Sequence, residues 1–144
     1  MNEAPAPRPA AIYWVLALAG LAWNAWGCWL FWLTVTRDPA AMAQQSPAFA
    51  DWLDGFPDWV TAVYLAGVGL SLLGSLLMLE RSRWSPTAFL GSLLGALASY
   101  GYQFTHLLPG LGAGSMAVVA AVVVLAIVLQ WAYVRSAARK GWLR

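Results

Sequence analysis

Apolar residues run through this chain in four long blocks separated by short polar segments, from about Ala11 to Thr36, Trp59 to Leu79, Thr87 to Leu108 and Met116 to Val134. About 20 predominantly apolar residues cross ~30 Å of hydrocarbon as an α-helix, and each block has that reach. None contains Lys, Arg, Asp or Glu. The pattern predicts an all-α fold, an integral membrane four-helix transmembrane bundle over 11–136. A segment at 1–10, with Pro5, Pro7 and Pro9, is expected to be disordered, and 137–144 form a basic tail. The first block is too long for a secretory h-region and no small-x-small site ends it, so it is read as retained.

Local punctuation sharpens the boundaries. Ser85-Pro86 reads as an N-cap followed by proline at the first helical position, and Asp58 as a cap of the second span. Pro109-Gly110, Gly112 and Gly114 predict a tight turn between the last two spans. The segment 37–58 is long for a bundle connector. Asp38-Pro39 and Ser46-Pro47 are cap-plus-proline starts and Gly55 is a stop, which predicts short helices at Pro39 to Gln45 and Pro47 to Asp54. Phe49, Trp52 and Leu53 then share one face, as in a helix lying in an interface. Such a segment serves as a structured connector over the bundle mouth, or as a lid or docking surface.

Charge supplies the orientation. Only 10% of residues are charged and 61% are hydrophobic, against about 25% charged in soluble domains. Arg8, Arg81, Arg83, Arg135, Arg139, Lys140 and Arg144 flank the blocks on one side, and Arg37 alone lies on the other with Asp38, Asp51, Asp54 and Asp58. Basic residues are retained in the cytoplasm, so both termini are expected there, N-in/C-in. The pI near 9.0 therefore reflects topology and implies no nucleic-acid partner.

Inside the blocks, small and uncharged polar residues carry the information, because helices in lipid associate through close packing and interhelical hydrogen bonds. Gly67-x-x-x-Ser71-x-x-x-Ser75 beside Gly74, and Gly91-x-x-x-Gly95-x-x-x-Ser99, put small-residue grooves on the second and third spans. They predict an antiparallel pair, with a homodimer contact as the competing use. Asn24, Gln103 and His106 are candidates for a polar cavity, with Thr105 and Gln130 as further polar positions. Asn24 is otherwise read as an interhelical hydrogen-bonding group directed to Ser71, Ser99 or a backbone group of the second span, and His106 as an interfacial one. Trp23, Trp26, Trp29 and Trp32 recur every three residues, so their rings sweep around the first span. Trp29 and Trp32 suit an aromatic belt. Trp23 and Trp26 lie deeper and are candidates for interhelical packing or for stacking on a sugar ring, a pigment or a quinone.

Chemistry excludes several classes. The single Cys28 forms no intramolecular disulfide, the single histidine precludes bis-histidine haem, and the ligand spacing of a zinc site is missing. Proton-coupled antiport of the small multidrug resistance type needs a membrane-embedded carboxylate, which the four blocks lack. No Ser-His-Asp or Cys-His arrangement and no phosphate loop is visible, so no enzymatic activity, cofactor or metal is expected.

Tyr13-Trp14, Trp23-Asn24-x-x-Gly27, Val35-Thr36, Phe56-Pro57-x-Trp59, Gly74-Ser75-Leu76-Leu77 and Lys140-Gly141-Trp142-Leu143 together resemble a family of small four-helix bacterial membrane proteins often labelled sugar transporters. The resemblance covers nearly the whole chain. It implies a bacterial inner membrane, and it brings no site residues because the family has no established residue-level mechanism. Two functions remain: a non-enzymatic accessory subunit or scaffold acting by association, as a homo-oligomer or in a larger membrane complex, or a small-solute transporter working as an oligomer.

Overall fold

A computed structural model describes residues 8–144. The expectation of disorder at 1–10 falls largely outside them. Among the described residues there are six helices and no strand: α1 (Ala11–Val35), α2 (Pro39–Met42), α3 (Ala48–Asp54), α4 (Asp58–Leu79), α5 (Ser85–Thr105) and α6 (Ala113–Arg139). Three of them, α1, α4 and α6, are long and apolar enough to cross a membrane. The fourth long helix, α5, also lacks charged residues, but its serines, glycines, tyrosines and Gln103 make it more polar. Much of that polarity is turned inward, since Ser85, Ser92, Ser99 and Gln103 are all buried. Leu65, Leu73, Val118, Val122 and Leu125 lie on the outside, an apolar surface suited to hydrocarbon surroundings.

The long helices pack in the order α1, α4, α5, α6, with the closest contact between α4 and α5. Glycine makes that contact possible. A Cβ on Gly95 would fall 2.8 Å from the Val63 carbonyl oxygen and 2.9 Å from Gly67 Cα, and one on Gly67 would lie 3.3 Å from Ala96 N. These neighbours are backbone and cannot swing away. Towards the basic end, the Leu70 side chain covers Gly91 one turn from Gly95, and the ring of Phe89 covers Gly74 two turns from Gly67.

Arg81, Arg83, Arg135, Arg139, Lys140 and Arg144 lie around one end of this array, where α1 also begins, here called the inner end. Tyr13, Ala17, Met78, Phe89, Val134 and Ala137 form a buried core there. The Tyr13 hydroxyl donates to the Met78 carbonyl, and the Ser85 hydroxyl donates to the Gly74 carbonyl at 2.8 Å. The chain end folds back over the α4–α5 turn: Arg81 Nε donates to the Trp142 carbonyl at 2.7 Å, and backbone bonds join Arg144 to Arg81 and Arg83. Gly141, at φ 69°, supplies the left-handed stop of α6 that lets Trp142 turn back. Arg81 and Arg37 hold the same conformation after α4 and α1, at φ 60° and 53°.

Several boundaries differ from the sequence reading. Ser85 is the first residue of α5 and is buried, with its hydroxyl on α4; no side chain caps α5. Asp58 likewise begins α4 without capping it. The helix at 39–42 is shorter than expected and does retain its Asp38 cap, 3.0 Å from Ala41 N. The next begins at Ala48 with no Ser46 cap and ends at Gly55 in a right-handed conformation. α5 stops at Thr105, where His106 leaves helical geometry and Pro109 restricts the residue before it. α6 continues to Arg139 because the first charge marks the end of apolar character, and alanine, serine and arginine still favour helix.

The glycine contact makes a direct prediction. Gly95→Ala is expected to lower the unfolding free energy in mixed micelles by about 1–3 kcal/mol, the usual cost of overpacking. Gly101→Ala, whose Cβ would meet no atom within 4 Å, should leave it unchanged or higher. Equal effects of the two substitutions would contradict the close α4–α5 approach.

Candidate functional site

α1 and α6 meet through side chains at the inner end, where Tyr13 packs beside Tyr133 and within the same core as Val134. Towards the outer end they part, and a cavity of about 300 Å³ lies between the four long helices. Trp23, Asn24, Trp26, Gly27 and Leu30 line it from α1, and Val119, Val123 and Ile127 from α6. Tyr64, Gly67, Val68 and Ser71 of α4 and Ser92, Ala96, Ser99 and Tyr100 of α5 form the opposite wall. Trp23 and Trp26 are 45% and 60% exposed and Val119 is 53% exposed, so the opening faces sideways between α1 and α6.

The inner floor is a hydrogen-bonded knot. Asn24 Nδ2 lies 2.7 Å from Gln130 Oε1, 2.8 Å from Ser75 Oγ and 3.2 Å from the Ser71 carbonyl. The carbonyl only accepts, which fixes the amide with its nitrogen on this side. Two protons shared among three acceptors hold α1, α4 and α6 together at one point. Gly20 makes room for this arrangement, since a Cβ there would approach Gln130 Oε1 at 3.2 Å. Asn24 Oδ1 makes no hydrogen bond among the described residues.

The remaining serines divide into two kinds. Ser71 and Ser75 return their hydroxyl protons to carbonyls of α4, the usual solution for serine within a helix. Ser92 does not: its residue is 0% exposed and its Oγ has no hydrogen-bond partner. A buried hydroxyl in that state costs about 1–3 kcal/mol. The hydroxyls of Tyr64 and Tyr100, further out on the same wall, also make no hydrogen bond among the described residues. On the α1 side, a Cβ on Gly27 would meet no atom within 4 Å.

The structure separates the residues that the sequence offered as one polar cavity. Asn24 lies at the cavity floor. Gln103 is buried one turn beyond the cavity and donates from Nε2 to Ser99 Oγ at 2.9 Å. His106 is exposed at the outer end, stacked on Tyr102 with ring centroids 4.1 Å apart, its Nδ1 near Thr105 Oγ1. Trp23 and Trp26 flank the opening, and the small residues of α4 and α5 serve the helix contact described above. Sequence reasoning missed Gly27, Tyr64, Tyr100 and Ser92 as cavity residues, and Gln130 as the partner of Asn24.

The outer connector is held to the ends of α1 and α5. Arg37 forms an ion pair with Asp54, and Trp52 Nε1 donates to the His106 carbonyl at 2.6 Å. Phe49, Trp52, Phe56, Tyr102 and Trp59 follow one another in edge or tilted ring contacts across the top of α4 and α5. Among the described residues no group of three or more potential metal ligands occurs. No family model, curated protein or solved structure matches the chain.

The Asn24–Gln130 contact is testable by a double-mutant cycle in mixed micelles. Asn24→Leu and Gln130→Leu should each destabilise the chain, with a coupling energy of about 0.6–1.7 kcal/mol, the range of interhelical hydrogen bonds. Additive effects would mean that the two amides do not bond.

Proposed function

We propose that the chain is a four-span protein of the bacterial inner membrane, N-in/C-in, with α5 as the fourth span, and that it is non-enzymatic and acts by association within the bilayer as an accessory subunit or scaffold. The observation carrying this reading is the direction of the cavity: it opens sideways between α1 and α6, while the Asn24–Gln130–Ser75 knot and packed side chains lie below it. A molecule dissolved in the bilayer has access to it, and an aqueous solute has no continuous route past Tyr13, Met78 and Phe89.

The four-span arrangement is supported by the length of α5, its lack of charge and its position between α4 and α6. The cluster of basic residues at the inner end supports the orientation. The family resemblance, carried by Trp23-Asn24-x-x-Gly27 and the Lys140-Gly141-Trp142-Leu143 ending, supports the choice of membrane. The transporter reading draws on Asn24, which lines the cavity near the middle of α1. It lacks Gln103 and His106 as further lining groups.

Two measurements test the proposal. In a Cys28→Ser background, Gln44→Cys should react with a membrane-impermeant thiol reagent in intact cells, and Arg83→Cys and Arg139→Cys only after permeabilisation. Labelling of Arg83→Cys from outside would overturn the topology. Proteoliposomes should take up labelled sugars no faster than empty liposomes; saturable uptake that falls on Asn24→Leu would replace association with transport.

A further inference from the structure

We infer that the cavity binds the headgroup of an isoprenoid quinone taken from the bilayer, with the prenyl tail leaving through the gap between α1 and α6. This rests on the bilayer-facing reading above and adds a ligand class to it.

Access decides the phase from which the ligand comes. The opening is sideways and flanked by the exposed indoles of Trp23 and Trp26, so the ligand is one that already resides in hydrocarbon. Size decides how much of it enters. A volume of about 300 Å³ is at the lower limit of small-molecule sites, about 300–1,000 Å³. One substituted ring fits, and a long tail has to remain in the gap.

Charge and hydrogen bonding then narrow the chemistry. No charged residue lines the cavity, so a phosphate or carboxylate headgroup would be buried without a counter-charge, at high cost. The headgroup is therefore neutral. Its polar atoms must be acceptors at two separated positions, because the lining hydroxyls without a partner are that of Ser92 and, eight residues further along α5, that of Tyr100, with Tyr64 on α4. Apolar wall lies between them. A flat ring with oxygens on opposite edges matches that distribution, whereas an alcohol with a single polar end leaves one set of hydroxyls unpaired.

Gly27 adds an independent geometric point. Its missing side chain leaves the α1 backbone bare on the cavity side, and a Cβ there would touch nothing within 4 Å. Helix stability favours alanine over glycine at such a position by about 1 kcal/mol in water. Neither helix packing nor a turn requires glycine here, unlike Gly95, and a ring lying against the backbone does.

The experiment uses the full chain, purified in detergent micelles and immobilised. It measures retention of a decyl-tailed dimethoxy-methyl-benzoquinone by ultraviolet absorbance, with decylbenzene and a steroid alcohol as controls. Wild type should bind the quinone saturably with one site per chain, and neither control should compete. Ser92→Ala should bind about tenfold more weakly, the equivalent of one lost hydrogen bond. Gly27→Leu should show no saturable binding while its melting temperature stays equal to or above that of wild type. Should Gly27→Leu not fold, Gly27→Ala and Tyr100→Phe provide the same comparison with smaller changes, and both should weaken binding. Non-saturable retention by wild type, equal retention of decylbenzene, competition by the steroid alcohol, or unchanged binding in the folded Gly27 variants would each overturn the inference. Failure here with the expected cysteine-labelling pattern leaves the topology standing, whereas an inverted pattern removes the reading on which both depend.

Discussion

The backbone contact between α4 and α5 at Gly67 and Gly95 is the constraint on which the rest of the structure depends. Apolar side chains gain little by leaving hydrocarbon for protein, so helices in such surroundings need close van der Waals packing and interhelical hydrogen bonds. Two glycines facing each other allow the Val63 carbonyl and the Gly95 backbone to approach within van der Waals distance. With α4 and α5 fixed, α1 lies against α4 and α6 against α5. What remains adjustable is the distance between α1 and α6.

Side-chain size sets that distance differently along the array. At the inner end Tyr13 and Phe89 are fully buried with Val134, and Tyr13 also packs edge-on against Trp142 at 5.9 Å. Large rings fill the space there, and the Tyr13 hydroxyl has a carbonyl to receive its proton. Further out, Gly27, Gly67, Ala96 and serines interrupt the lining, and Leu30, Tyr64, Tyr100, Val123 and Ile127 between them do not fill the gap. The Asn24–Gln130–Ser75 knot sits at the change from large to small and links the closed half to the open one. Interior volume in close-packed proteins is normally filled. The unfilled cavity lies where small residues interrupt the larger lining side chains, a few turns from a core that large rings fill.

The sequence carried the elements well because apolar length and charge placement are local signals. Four uncharged blocks correspond to α1, α4, α5 and α6, although composition alone places only three of them above the threshold for spanning. The Gly67 and Gly95 contact was also legible, since small residues at four-residue spacing imply a groove whatever fills it. The caps were harder. Ser85 and Asp58 have the residue type and position of N-caps, but a hydroxyl able to bond its own helix can equally reach a neighbouring carbonyl, and Ser85 reaches Gly74. The site was least legible. Gln130 is 106 positions from Asn24, with no periodicity to connect them. The cavity, moreover, is defined by what Gly27 and Ser92 omit, a side chain in one case and a hydrogen bond in the other. His106 attracted interest as the single titratable ring, yet its place after the last turn of α5 turns it outward.

The outer connector is pinned at two points. The Arg37–Asp54 pair ties the end of α1 to α3, and the Trp52 indole ties α3 to the end of α5. The run of ring contacts from Phe49 to Tyr102 adds to this attachment at the ends of α4 and α5. Opening between α1 and α6 asks for little, because these helices share no extensive backbone contact and their hydrogen-bonded link lies below the cavity. Rotation of Trp23 or Trp26 about its own side-chain bonds changes the width of the gap without disturbing Asn24. Side-chain rotations are fast compared with helix or domain rearrangements, so passage by this route requires only local motion. The same geometry fixes the cavity floor through the Asn24–Gln130–Ser75 knot and one wall through the Gly67–Gly95 approach, and leaves the gap between α1 and α6 adjustable.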